Sequence, residues 1–230
     1  MICDDDFEER LRDLLENPAH RDHPLYEALK EAGLRYARQT RLIDKVTRIS
    51  DRAQSHLRDL NHHLAAASIT DPLTGLPNRR HLLDRLRKET ARARRSGWSL
   101  TIILGDIDHF KAVNDNYGHD VGDAVLIATA QTLQGSLRGY DLCGRWGGEE
   151  FLIILPETDI EAGMQVAEKL RLAVAAQHDD GDGNEVSISV SLGIADYDTS
   201  HSLDNCLQRA DRALYAAKTM GRNCCAVAAR

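Results

Sequence analysis

Residues 142–155 read LCGRWGGEEFLIIL, and this stretch predicts two short β-strands joined by a tight turn at Gly147 and Gly148. Apolar residues dominate on both sides of the glycine pair. A Gly-Gly pair between two strands is typical of a hairpin because glycine can adopt positive φ angles. Two acidic residues, Glu149 and Glu150, follow the glycines directly. We therefore expect a β-hairpin whose turn carries two carboxylates.

The chain on both sides of this hairpin, from residue 69 to residue 230, predicts alternating helices and strands. The strands are short apolar runs, and the helices are longer segments with apolar residues at helical spacing. Helices are expected over residues 78–95, 122–137, 158–176 and 203–219, and further strands over residues 99–107, 185–194 and 224–227. This order predicts an α/β (α+β) domain, in which a mixed central β-sheet is flanked by helices.

Residues 1–68 predict a different structure, a helical stalk. A short helix over residues 4–16 ends at Asn17 and Pro18, and a much longer helix follows Pro24. Apolar residues recur every 3.5 residues along the long helix and form a seam in which ten of twelve positions are apolar. The seam positions are Leu29, Ala32, Tyr36, Gln39, Ile43, Val46, Ser50, Ala53, Leu57, Leu60, Leu64 and Ala67. So narrow a stripe predicts a parallel coiled coil in a homodimer, and a helix packed on its own domain is the alternative.

The composition argues against several classes of protein. With 29 Lys and Arg against 36 Asp and Glu, the net charge is −7, which argues against a broad nucleic-acid-binding surface. No apolar run approaches the roughly 18–20 residues of a membrane-spanning helix, and the acidic N-terminus does not resemble a signal peptide. Five cysteines without a C-x-x-C pair indicate neither a disulfide framework nor a structural zinc site. We expect a cytoplasmic protein.

Asp106 and Asp108 end an apolar predicted strand and lie on the same side of it, because side chains alternate along a strand. Together with Glu149 and Glu150 they would form an oxygen-rich cluster of the kind that Mg²⁺ or Mn²⁺ prefers. Taken alone, the same residues could be solvent-exposed charges at a strand edge. The strand end and the hairpin therefore predict a metal site only if the fold brings them together.

Two further segments could bind a ligand. Residues 114–123 read NDNYGHDVGD, where Gly118 and Gly122 allow tight turns and where Asn and Asp side chains could accept the N–H groups of guanine. Lys218 and Arg222 lie four residues apart near the end of the last predicted helix and could contact phosphates. The alternative for residues 114–123 is an ordinary loop with a helix cap. The alternative for Lys218 and Arg222 is a solvated helix end.

Five motifs, in order and at consistent spacing, resemble those of the GGDEF family of diguanylate cyclases in its Gly-Gly-Glu-Glu-Phe form. They occupy residues 71–80, 106–111, 114–123, 145–151 and 215–223. The resemblance extends from residue 70 to about residue 227 and implies a mixed sheet wrapped by helices, as in nucleotide cyclases and polymerase palms. In layout the chain resembles short stalk-plus-cyclase chains of the SiaD type.

The resemblance implies an enzyme that joins two GTP molecules into cyclic di-GMP and releases two pyrophosphates. Each domain would hold one GTP, so two copies are needed, and the stalk would bring them together as a homodimer. Since about 70 helical residues precede the domain, we also expect a regulatory protein that binds the stalk. A catalytically silent receptor for GTP or cyclic di-GMP is the alternative.

By position in the motifs, the resemblance implies metal and catalytic roles for five residues. Asp106, the carbonyl group of Ile107, Glu149 and Glu150 would ligate Mg²⁺ (or Mn²⁺). Glu149 would also be the base for the attacking hydroxyl, and Lys111 would stabilise the charge that develops during transfer. Asp108 is expected to be structural.

The same resemblance implies two sets of binding residues. The substrate-binding residues would be Asn114, His119, Asp123, Gly147, Gly148, Lys218 and Arg222, with Asn114 and Asp123 on the guanine and the two cations on phosphates. Arg138 and Asp141 form an R-x-x-D sequence six residues before the Gly-Gly turn. In this family that position is an allosteric product site, so feedback inhibition by cyclic di-GMP is expected.

Overall fold

The computed structural model describes residues 4–67, 69–176 and 186–229, without the side chains of residues 4–8, 20 and 55–67. The chain divides into two compact units, Met1–Ala67 and Ser68–Arg230. Within the described residues, no helix is both long enough and apolar enough to cross a membrane.

The first unit is an antiparallel helix pair. Helix α1 (Asp4–Glu16) ends before a single 3-10 turn (Pro18–His20), and helix α2 (Tyr26–Ala67) is 42 residues long. Leu11 and Leu15 of α1 cover the buried Gly33 of α2, where a Cβ atom would lie 3.0 Å from Leu11 Cδ2. The Tyr26 hydroxyl donates a hydrogen bond to the carbonyl oxygen of Leu15 (3.1 Å). The beginning of the long helix thus packs against α1, a contact that the seam pattern did not predict.

The middle of α2 carries an uncovered apolar face. Four apolar side chains there are between 58% and 63% exposed: Leu42, Ile43, Val46 and Ile49. Association with another helix would remove this apolar surface from water. Two of them, Ile43 and Val46, are predicted seam positions. The seam side chains from Leu57 to Ala67 lie outside the described part of the chain.

The second unit is a five-stranded mixed sheet flanked by helices, which confirms the predicted fold class. The strand order is β2-β3-β1-β4-β5, with β1 antiparallel to β3 and β4, and β5 parallel to β4. The elements are α3 (Arg79–Ser96), β1 (Leu100–Ile107), α4 (Phe110–Tyr117), α5 (His119–Gly135), β2 (Leu142–Arg145), β3 (Glu150–Pro156), α6 (Ile160–Ala175), β4 (Val190–Asp196), α7 (Leu203–Thr219) and β5 (Cys225–Val227).

Strand β1 lies at the centre of the sheet and is buried along its whole length. Alternate side chains face opposite layers, so that Ile103 packs with α4, α5 and α6, while Ile102 and Leu104 pack with α3 and α7. In the β1–β3 register, Asp106 lies opposite Glu150. The sheet therefore brings the strand end and the hairpin together, as the metal site requires.

Two predicted boundaries were wrong. The segment 114–123 is not a loop: α4 and α5 occupy it, separated by Gly118 with φ +90°, and α5 begins at His119 instead of residue 122. Strand β4 begins at Val190, not at residue 185, because Ile107, the last residue of β1, pairs with Val190. Residues 186–189 extend past that last pair, and residue 185 lies outside the described residues.

Candidate active site

A pair of carboxylates lies at the end of the two central strands. Asp106, which is 6% exposed, faces the half-buried Glu150 across the β1–β3 register. Lys218, in the last turn of α7, places its Nζ 2.8 Å from Asp106 Oδ2. Burial raises the pKa of Asp106, although the hydrogen bond and the charge of Lys218 act to lower it. Burial also raises the pKa of Glu150, and repulsion from Asp106 adds to this. The two acids therefore favour a nearby cation.

The hairpin turn places Glu149 beside the end of β1. The amide of Ile107 donates to the carbonyl oxygen of Glu149 (3.3 Å), and the amide of Glu150 donates to the carbonyl oxygen of Gly147 (3.2 Å). Neither Gly147 nor Gly148 has a positive φ, so the conformational reason expected for them was wrong. A Cβ atom at Gly147 would lie 2.9 Å from Glu150 Oε2, so a side chain there would make this carboxylate shift.

Arg145 holds this turn in place, a role that the motif alone did not reveal. Its Nε and Nη2 donate to the carbonyl oxygen of Gly148 (3.0 and 2.8 Å), and its Nη1 donates to Asp71 Oδ1 (3.1 Å). Although burial opposes it, hydrogen bonds from Thr74 and Arg145 lower the pKa of Asp71, which keeps the ion pair charged. An arginine two residues before the Gly-Gly turn, together with the aspartate of the Asp71–Pro72 turn, was the available signal.

The oxygen atoms at this site fit a divalent cation in type and charge. Carboxylates and backbone carbonyls are the hard ligands that Mg²⁺ and Mn²⁺ prefer. Within the described ranges, no group of three or more His, Cys, Asp or Glu side chains could hold a metal ion by itself. An ion at this site would therefore have to complete its coordination shell with backbone carbonyl groups, water or substrate phosphates.

The predicted guanine-binding residues lie on α4 and α5. Asn114 is half-buried on α4, and a Cβ atom at Gly122 would overlap with its Oδ1. Gly122 is therefore a helical residue that lets the two helices approach closely, not the turn residue that was predicted. His119 and Asp123 are exposed near the start of α5, and Lys111 is exposed in the first turn of α4.

Arg222 lies in a left-handed loop between α7 and β5. The φ angles of Gly221, Arg222 and Asn223 are +113°, +64° and +44°. The side chain of Arg222 is exposed, and its charge acts on Asp106, where it opposes the rise in pKa that burial causes. The structure thus brings Lys218 and Arg222 to the same carboxylate, at the side of the site opposite the hairpin turn.

Arg138 and Asp141 form a closed turn between α5 and β2. Asp141 Oδ2 accepts from the amide of Arg138, and the amide of Asp141 donates to the carbonyl oxygen of Arg138 (both 3.1 Å). The guanidinium of Arg138 is exposed and donates from Nη1 to the hydroxyl of Tyr140 (2.9 Å). The turn places the exposed guanidinium of Arg138 near the partly buried carboxylate of Asp141.

Comparison with protein-family models matches residues 68–224 to "Diguanylate cyclase, GGDEF domain". Diguanylate cyclase DgcP of Pseudomonas aeruginosa is 46% identical over 169 residues, which cover 74% of this chain and 25% of DgcP. Response regulator PleD of Caulobacter vibrioides is 39% identical over 178 residues, which cover 75% of this chain and 38% of PleD. The chain thus spans only a quarter to two fifths of the length of these relatives.

Two solved structures resemble the chain over more of its length. Diguanylate cyclase SiaD from Pseudomonas aeruginosa, solved in complex with its activator SiaC, is 39% identical with a TM-score of 0.68, over 99% of this chain and 100% of that chain. The coiled coil and GGDEF domain of DgcB from Caulobacter crescentus, in complex with c-di-GMP, is 32% identical with a TM-score of 0.67, over 83% of this chain and 98% of that chain.

Proposed function

Because the chain belongs to the GGDEF diguanylate cyclase family, we propose that it condenses two GTP molecules into cyclic di-GMP with release of two pyrophosphates. The observation that carries this proposal is the carboxylate pair of Asp106 and Glu150, which faces Lys218 at the end of the central strands. Such a site suits phosphoryl transfer, where charge neutralisation and positioning account for most of catalysis.

Asp106, Glu149, Glu150 and the carbonyl group of Ile107 would hold Mg²⁺ (or Mn²⁺). The ion would neutralise part of the roughly four negative charges of GTP, which these carboxylates would otherwise repel. Lys218, Arg222 and Lys111 bind the phosphates and stabilise the charge that develops on them. The metal ion and the basic side chains would thus both neutralise the charge of the phosphates.

In the reaction, the 3′-hydroxyl of one GTP attacks the α-phosphate of the other. The new O–P bond forms as the bond to pyrophosphate breaks, and Glu149 accepts the proton of the hydroxyl. A second, symmetric transfer closes the ring. Since each domain supplies one GTP, a single domain cannot complete the product, and the active form is a homodimer.

Asn114 and Asp123 read the guanine, with His119 nearby, while Gly147 and Gly148 let the nucleotide approach the hairpin. An amide and a carboxylate complement the N1–H, N2–H₂ and O6 groups of guanine, whereas adenine presents a different pattern. A side chain that hydrogen-bonds to guanine discriminates against adenine because the wrong base leaves it without a partner. We therefore assign substrate specificity to the α4–α5 pair.

Gly122→Ala should weaken GTP binding through Asn114. The added methyl group overlaps with Asn114 Oδ1 and must displace the amide. We expect the KM for GTP to rise about tenfold with a small change in kcat, since ground-state and transition-state binding fall together. Initial rates over a range of GTP concentrations measure this. Gly135→Ala on the same helix, where a Cβ atom meets nothing within 4 Å, is the matched control. An unchanged KM would contradict the role of Asn114.

The exposed apolar face of α2 supports a homodimer through the stalk. Leu42, Ile43, Val46 and Ile49 offer a contiguous apolar surface at coiled-coil spacing. SiaD, which resembles this chain over nearly its whole length, was solved with an activator protein. We propose that a regulatory protein likewise binds this stalk and alters how the two cyclase domains meet.

The turn of Arg138 and Asp141 is the proposed allosteric site for cyclic di-GMP. A guanidinium can bind both a phosphate and the acceptor edge of guanine, and the adjacent carboxylate can accept the guanine N–H groups. The exposure of Arg138 leaves it accessible to a ligand. Product binding here would lower the rate as cyclic di-GMP accumulates.

Arg138→Ala should relieve product inhibition. We expect the concentration of cyclic di-GMP that halves the rate to rise at least about tenfold, since one charged hydrogen-bond donor is lost. The initial rate without product should stay unchanged. Inhibition curves for the unchanged protein and for Arg95→Ala, an exposed arginine at the end of α3, complete the comparison. Equal inhibition of all three proteins would overturn the assignment.

The proposed activity is tested by incubating the full chain with GTP and Mg²⁺ and detecting cyclic di-GMP by mass spectrometry. Product formation is the expected result. If none forms, a fused leucine zipper forces dimerisation and replaces a missing activator. A dimeric fusion that binds GTP without making product would instead identify a receptor for the nucleotide.

A further inference from the structure

Asp108 is a buried carboxylate of the second unit that the proposed mechanism does not use. It is 5% exposed and accepts three hydrogen bonds. Ser189 Oγ donates to Oδ2 and Ser191 Oγ donates to Oδ1 (both 2.6 Å), and the backbone amide of Asn223 also donates to Oδ2 (2.9 Å). One carboxylate thus joins the end of β1, the start of β4 and the loop between α7 and β5.

The loop that Asp108 contacts has an unfavourable backbone. Gly221, Arg222 and Asn223 all have positive φ, a region that side-chain-bearing residues rarely adopt. Two consecutive non-glycine residues in this conformation persist only where surrounding contacts hold them. A loop of this kind needs anchors outside itself.

Three hydrogen bonds described for the loop hold it in place. The amide of Arg222 donates to the carbonyl oxygen of Ala217 on α7 (3.2 Å), and the two bonds to other elements are made by Asn223. Its amide donates to Asp108, and its side-chain oxygen accepts from Nη1 of Arg171 on α6 (2.7 Å). Arg171 is itself oriented by Glu168, one turn earlier on the same helix. Arg222, the neighbouring residue, therefore lies between its own bond to α7 and the two contacts that hold Asn223 to the end of β1 and to α6.

We propose that Asp108 is a positioning residue that holds the Gly221–Asn223 loop so that Arg222 points at the phosphates of GTP. This inference rests on the proposed function, because it assumes that Arg222 binds a nucleotide phosphate. It assigns the second carboxylate of the Asp106–Asp108 pair a task distinct from that of the first. Asp106 faces the cation and Lys218, whereas Asp108 holds the backbone that carries the second basic side chain.

The test is a double-mutant cycle on GTP binding, measured by calorimetry with the full chain in Mg²⁺ buffer. Asp108→Asn keeps the size of the side chain but turns one acceptor into an amide donor. We expect it to weaken GTP binding about tenfold when Arg222 is present, because small misplacements of a binding group are costly. In the Arg222→Ala background, the same change should alter the Kd less than about twofold, since coupled residues do not contribute additively.

Ser191→Ala is the matched control, because it removes a hydrogen bond to Asp108 but leaves the Asn223 bond in place. It should change the Kd for GTP less than about twofold, because Ser191 is not coupled to Arg222 through Asn223. Equal losses in both backgrounds, or an equal loss with Ser191→Ala, would show a general structural role and overturn the inference.

Arg171→Ala provides a second route that does not alter the β1–β4 contacts. It removes the other anchor of Asn223 and should weaken GTP binding several-fold, again only when Arg222 is present. Thermal melting identifies variants that fail to fold. If Asp108→Asn fails to fold, Arg171→Ala alone tests the inference. If the unchanged chain binds GTP but forms no product, the proposed catalysis is contradicted. The double-mutant cycle on GTP binding still tests the role of Asp108. Absence of GTP binding would overturn both proposals.

Discussion

Glu149→Gln should abolish cyclic di-GMP formation, with kcat at least about 1,000-fold lower, because the change removes both a carboxylate ligand and the proton acceptor. The substitution keeps the size of the side chain. The backbone bond between Ile107 and Glu149 remains, so the hairpin should stay in place. Mass-spectrometric detection of product over time, at saturating GTP and Mg²⁺, measures the effect.

The control for this variant is Glu161→Gln, an exposed glutamate in the first turn of α6 that should leave the rate unchanged. A titration with Mg²⁺ separates the two roles of Glu149. Recovery at high Mg²⁺ would indicate a ligand only, whereas a rate that stays low shows the additional role in proton transfer. Substantial product from Glu149→Gln at ordinary Mg²⁺ would refute the assignment.

Placing aspartates in the apolar face of α2, as Ile43→Asp with Val46→Asp, should separate the two copies. Both side chains are about 60% exposed in the single chain, so the change costs little in the monomer but puts charges at the centre of the dimer seam. At about 1 µM protein, the rate per chain should fall at least about 100-fold, because the stalk no longer raises the effective concentration of the domains. Sedimentation and product assays measure the two effects.

Arg48→Asp, at an exposed charged position of α2, is the control for an added carboxylate on the stalk. It should remain dimeric and active. A leucine zipper fused before the stalk should restore activity to the double variant, since its cyclase domain is unaltered. A double variant that is monomeric yet fully active would show that the stalk does not assemble the catalytic pair.

Local signals in the sequence were sufficient where an element is stabilised by its neighbours along the chain. Helix α7 was predicted with its observed bounds because Ser202 caps its first turn, accepting from the amide of Asn205, and its apolar residues recur at helical spacing. Helix α4 was missed because it is only eight residues long and half of them are polar. Only Phe110 and Val113, one turn apart, attach it to the core.

The start of β4 and the purpose of Gly147 depended on partners distant in sequence. Strand β4 begins at Val190 because this residue pairs with Ile107, the last residue of β1. Gly147 has no positive φ, and a side chain there would instead displace the Glu150 carboxylate. Hydrophobic periodicity carries no information about either contact, since it reports the face of an element but not its register.

The sequence by itself determined the family resemblance, the order of helices and strands apart from α4, and the acidic and basic residues of the candidate site. Motif chemistry is local, so short patterns such as Gly147–Phe151 were enough to identify it. Only the tertiary structure decided that Arg145 holds the hairpin through Asp71, 74 residues away, and that Asp108 holds Asn223, 115 residues away. The physical reason is that a hydrogen bond between distant segments depends on how the sheet is ordered, and the five strands here pair in the order β2-β3-β1-β4-β5.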